Sequence, residues 1–106
     1  MARTHVLKLQ KDFCDAVYNG EKMFELRYND RGFQRGDLIR FVAMDGEEKI
    51  EHPINDCEYV ISYVLAGWGL QRNFVALSIW DTAYEVKRHG RPTEEQIRAM
   101  SEEIRT

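Results

Sequence analysis

Polar and apolar residues alternate along most of the chain, with one early break into a helical period. HVLKL, residues 5–9, reads as a short strand. In KDFCDAVYNG the apolar Phe13, Ala16 and Val17 fall at i, i+3 and i+4, one stripe of a helix over residues 11–19. Asp12 suits its N-terminal end, and Gly20 suits the left-handed residue after its last turn. Period two returns at residues 23–28, where Met23, Glu25 and Arg27 oppose Phe24, Leu26 and Tyr28. The expectation is that Phe24 and Leu26 fill the core, so that the Glu25/Arg27 side looks outward or into a cleft.

NDRGFQRGD is turn-rich, and Arg35-Gly36-Asp37 reads as a turn into the next strand rather than an adhesion tripeptide. DLIRFVAM follows as a strand ended by the hairpin signal Asp45-Gly46, with residues 47–52 as the return strand and Pro53 as its stop. CEYVISYVLAG, residues 57–67, is apolar on both faces and reads as a central strand. Residues 73–81 make another, across the loop GWGLQRN. The pattern predicts a mostly β (α+β) fold: a small β-barrel of about six strands with an N-terminal helix.

The tail differs. Residues 81–92 form a polar connection, and Thr93-Glu94-Glu95-Gln96 fits a capping box. Ile97, Met100 and Ile104 then make a narrow apolar stripe, so residues 93–106 are expected as an added C-terminal amphipathic helix. The organisation expected is one domain over 1–80, the connection 81–92 and that helix.

Composition adds limits. The chain has 106 residues, 43% hydrophobic and 31% charged, which is ordinary for a folded domain with its own core. The net charge is −3, but residues 1–40 carry eight Lys or Arg against six Asp or Glu. A local basic patch therefore fits better than a general nucleic-acid coat. Cys14 and Cys57 form no metal-ligand spacing, and His5, His52 and His89 are scattered, so no metal and no cofactor are expected. Gly67-x-Gly69 lacks the rest of a dinucleotide loop. No membrane-spanning stretch or signal peptide is visible, and a cytoplasmic protein is the expectation.

The chemistry concentrates around residues 20–31. Gly20-x-Lys22-x-x-Glu25-x-Arg27 resembles the GxKxxExR signature of ASCH domains (activating signal cointegrator homology), which have the PUA-like fold, a small β-barrel of many RNA-associated proteins. His5-x-Leu7-Lys8, the helix ending at Gly20, Arg27-x-Asn29-Asp30-Arg31-x-Phe33 and Gly36-Asp37 extend the likeness, which is similar in detail to an ASCH-related family of unknown function. It covers roughly residues 4–80.

The resemblance implies a cleft beside the helix that binds RNA or a nucleotide. There Lys22 suits phosphate as a point charge, Arg27 suits phosphate or a base edge as a planar fork, and Glu25 orients Arg27 or accepts hydrogen bonds. Lys8 and Arg31 extend the basic track. Trp68, between Gly67 and Gly69, suits base stacking; Tyr28 and Phe33 read more simply as core or turn anchors. From the residues alone, a solvated ion pair on the rim is an equal reading. One alternative is a small hydrolase, a ribonuclease or modified-nucleoside amidohydrolase, with Lys22 and Glu25 as catalytic pair. Glu25 stands where the amidohydrolase pattern has threonine, which removes the hydroxyl that chemistry uses. Another is a protein-interaction domain that forms a homodimer through the C-terminal helix.

Overall fold

In a computed structural model, the structure describes residues 2–83 and residue 98. Arg98 apart, the helix expected over 93–106 lies outside the described residues, as do residues 84–92 of the connection before it.

Strand β1 (Thr4–Gln10) runs directly into helix α1 (Lys11–Tyr18), and β2 (Phe24–Tyr28) follows. Next come β3 (Leu38–Asp45), a two-residue β4 (Glu48–Lys49), a 3-10 turn at Pro53–Asp56, β5 (Tyr59–Ala66) and β6 (Phe74–Asp81). They make one six-stranded sheet in the order β1-β3-β5-β6-β2, with β4 appended to β3. Among the described residues only β1 and β3 pair in parallel. The fold is thus mostly β with one helix among the described residues, but the sheet is open rather than a closed barrel. The backbone ladder stops at β1 on one side and β2 on the other.

Alternation places Leu7 and Leu9 of β1, Ile39, Phe41 and Ala43 of β3, Tyr59 and Ile61 of β5, and Val75, Leu77 and Ile79 of β6 on the buried face. Helix α1 closes part of that face with Cys14 and Val17. Phe13, expected in the apolar stripe, is exposed instead. The buried stripe is rotated onto Cys14, whose thiol donates to the Leu9 and Gln10 carbonyls and takes over the contact with β1. The return strand expected over 47–52 shrinks to Glu48–Lys49, because Asn55 takes the next backbone partners. Its side chain accepts from the Ala43 amide at 2.8 Å and donates to the Ile50 carbonyl at 3.0 Å. Tyr59 is fully buried, and burial pushes its pKa above the ordinary phenol value.

The largest departure is in β2. Phe24, Leu26 and Tyr28 are 52%, 54% and 53% exposed, whereas Glu25 is 3% exposed. The charged face is the inner one. Alternation separates the two sets correctly, but hydrophobicity assigns them to the wrong sides. A carboxylate can occupy the inner face because two cations meet it there.

Candidate functional site

The site begins with the end of α1. Gly20 has φ 79°, the left-handed residue the sequence calls for. The Glu21 amide donates to the Ala16 carbonyl at 2.8 Å and the Gly20 amide to Val17 at 3.1 Å, the two bonds of a Schellman cap. The Lys22 amide also donates to the Ala16 carbonyl, at 3.0 Å. This reversal carries Lys22 out of the phase of β2 and brings its side chain back over the strand.

Lys22 Nζ then lies 3.0 Å from Glu25 Oε1 and donates to the Phe24 carbonyl at 2.8 Å. The same ammonium sits 4.6 Å from the centre of the Phe24 ring and 5.3 Å from that of Phe13, so both exposed aromatics flank it as cation–π partners. From the other side Arg27 Nε donates to Glu25 Oε2 at 2.9 Å. One carboxylate therefore holds two cations, one on each oxygen, with the Lys22 and Arg27 side chains 18% and 25% exposed.

Arg27 does a second job. Its Nη2 donates to the main-chain carbonyl of Lys8 at 2.6 Å, and Arg31 Nη1 donates to the Val6 carbonyl at 3.2 Å. Val6 and Lys8 belong to the free edge of β1, and their carbonyls have no strand to pair with on that side. Side chains from β2 and the turn after it thus bridge the seam that the ladder leaves open. Lys22, Glu25 and Arg27 come together as the sequence implies. Lys8 joins through its carbonyl while its side chain is exposed, and Arg31 sits one step further along the same seam.

The aromatic expectations divide. Phe33 is buried against His5, with ring centroids 4.7 Å apart, and is a turn anchor. Tyr28, expected as an anchor, faces outward and meets Phe74 edge-on at 5.7 Å. Its strand is inverted relative to the expected burial. Trp68 is 90% exposed in the β5–β6 loop, and no bond or ring contact among the described residues links it to the ion cluster.

Sequence reasoning missed a buried pair on the opposite side of β1. His5 Nε2 lies 2.8 Å from Asp37 Oδ2, and the Arg3 and Gln34 amides donate to the same carboxylate. Burial is the largest single influence and raises the Asp37 pKa, but the bonds from His5, Arg3 and Gln34, with the Arg3 charge, together bring it below the ordinary value. The two residues are 32 positions apart, and only the parallel pairing of β1 with β3 brings them together. Among the described residues no group of three His, Cys, Asp or Glu side chains could hold a metal ion, and no helix is long and apolar enough to cross a membrane.

The fold and site define a small, mostly β domain whose two sheet edges meet at a buried carboxylate shared by a lysine and an arginine. Residues 4–79 match the family described as domain of unknown function (DUF3850), and the chain belongs to that family. No curated protein matches the chain.

Proposed function

We propose that this domain is an ASCH-like, PUA-related module that binds RNA or a nucleotide through the Lys22/Glu25/Arg27 seam. The observation that carries the reading is the sharing of buried Glu25 by two cations that keep donors to spare. Among the described residues, two of the five N–H groups of Arg27 have protein acceptors, and Lys22 uses two of three. The remainder are held in fixed directions, as phosphate or base-edge recognition requires. A buried ion cluster contributes no more to stability than well-packed apolar residues of the same volume would. That it stands here at a sheet edge, beside exposed aromatics and Arg31, favours recognition over packing.

Binding is a better reading than hydrolysis. Both Glu25 oxygens are already bonded to cations, and a general base would have to break one of those pairs before taking a proton. Homodimerisation through the C-terminal segment is a separate proposal, tested by the mass in solution of the whole chain and of one ending at Ala83.

Fluorescence anisotropy with a labelled single-stranded RNA at low salt tests the reading. Lys8→Ala, a surface change, should weaken binding without altering the melting temperature. Some three phosphate contacts give a slope of roughly −2 for log K against log salt. Lack of association with RNA, DNA or nucleotides at low salt would exclude this function.

A further inference from the structure

The β5–β6 loop, residues 67–73, combines features that folding alone does not favour. The Leu70 amide donates to the Gly67 carbonyl at 3.0 Å, closing a tight turn whose central residues are Trp68 at φ 53° and Gly69 at φ 88°. A left-handed backbone suits glycine, and a bulky side chain there costs roughly 1–2 kcal/mol. Trp68 gains nothing back from burial, being 90% exposed. A second turn follows, closed by the Phe74 amide on the Gln71 carbonyl at 3.0 Å, with Asn73 at φ 67°. Two non-glycine residues with left-handed backbone, the strained Trp68 and the more tolerant Asn73, therefore stand in one seven-residue loop, and no other described non-glycine residue has positive φ.

The loop also walls a hollow of about 380 Å³, lined by Asn29, Leu70, Gln71, Arg72, Asn73 and Phe74 among others, with Trp68 outside the lining next to Gly67. Its volume is within the range of small-ligand sites. The side chains of Gln71, Arg72 and Asn73 make no hydrogen bond or ion pair among the described residues, so a charged fork and two amides are free to face a ligand. The hollow lies further along β2 from the ion cluster. Arg27 pairs with Val75, which lines the hollow, and Asn29 reaches it two residues later, with its amide on the Asn73 carbonyl at 2.8 Å.

We propose that this loop is a second recognition site, in which a nucleobase stacks on Trp68 while Asn73 or Gln71 reads its edge and Arg72 holds the neighbouring phosphate. The proposal rests on the reading of the domain as a nucleic-acid binder. It adds where a base is read, while the Lys22/Glu25/Arg27 seam holds the backbone. An amide side chain pairs with base edges through its donor and acceptor together, and stacking on indole accepts any base.

The chain has two tryptophans, so Trp80→Phe leaves Trp68 as the only indole reporter. Titration of that variant with single-stranded oligonucleotides of uridine, cytidine, adenosine or guanosine should quench its emission along the same isotherm as anisotropy. Trp68→Gly should weaken binding about five- to hundred-fold, the loss expected for one stacked base. Its melting temperature should stay equal or rise, since glycine accepts φ 53°. Asn73→Gly should change the ranking of the four oligonucleotides. If the protein binds RNA but Trp68→Gly and Arg72→Ala bind as tightly and emission is unchanged, this site is refuted and the seam reading stands. A lower melting temperature in Trp68→Gly with unaltered affinity would make the loop structural and refute the site too. If nothing binds the unaltered protein, both readings fail.

Discussion

Arg27 of β2 donates to the Lys8 carbonyl of β1 at 2.6 Å, so a guanidinium links the two free edges of an open sheet. The same group holds Glu25 at 2.9 Å. Removing it leaves a buried carboxylate with one cation and a strand edge without its donor. Arg27→Ala should lower unfolding stability by about 1.5–3 kcal/mol, the range for hydrogen bonds to charged groups. Arg27→Lys should recover less than half of that, because an ammonium cannot span Glu25 and Lys8 as a rigid fork does. Urea denaturation of the three proteins decides it; equal midpoints would mean the seam contributes nothing to the fold.

The inverted faces of β2 give a second test. Leu26 is exposed opposite Ala76 of β6, while Val75 and Leu77, the β6 partners of Arg27 and Glu25, are buried. Leu26→Thr should change stability by no more than about 0.5 kcal/mol, as an exposed β position tolerates a β-branched polar residue. Leu77→Ala should cost about 2–5 kcal/mol through the cavity it leaves. Thermal melts of the pair check the assignment, and a large loss in Leu26→Thr would place that side chain inside.

Much of the fold was legible because its signals are local. The end of α1 at Gly20, the Asp45-Gly46 hairpin and the two apolar strands β5 and β6 each follow from neighbouring residues. The grouping of Lys22, Glu25 and Arg27 was legible from spacing and likeness together. What failed to show was long-range. Which side of β2 faces in depends on Lys8 and Val6 carbonyls some twenty residues away, together with cations that compensate Glu25. Average hydrophobicity contains no such information. The His5–Asp37 pair depends in the same way on parallel pairing across the whole of α1 and β2. Open against closed sheet was equally hidden, since strand count does not say whether β1 and β2 meet by ladder or by side chain.

Gly20 couples the helix cap to the site, and a third prediction follows from its geometry. A Cβ at this position would meet only Met23 Sδ at 3.9 Å, an ordinary contact, so Gly20→Ala introduces no clash. What remains is the backbone penalty at φ 79°, about 1 kcal/mol. The melting temperature should fall by about 4–8 °C for a domain of this size. Because the reversal also aims Lys22, RNA affinity should fall with it even at temperatures where the variant is fully folded. An unchanged melting temperature would show that the chain leaves α1 by another route.

Asp37 sets the last prediction, a dependence on acid. It is buried, and it accepts from the Arg3 and Gln34 amides and meets the His5 imidazole. Its pKa in the folded protein lies below the ordinary carboxylate value, so folding favours its ionised form. That contribution is fully present above the unfolded carboxylate pKa of about 3.9, and it is lost as pH falls from there through the depressed folded value. Asp37→Asn cannot titrate. At neutral pH it should be less stable by about 1–3 kcal/mol, since an amide accepts fewer of these bonds and sets its N–H₂ against donors. Between roughly pH 4 and pH 2 its urea midpoint should fall less steeply than that of the unaltered protein, so the two curves converge. Parallel curves over that range would mean that Asp37 is not held ionised by its partners and that the acid sensitivity arises from other carboxylates.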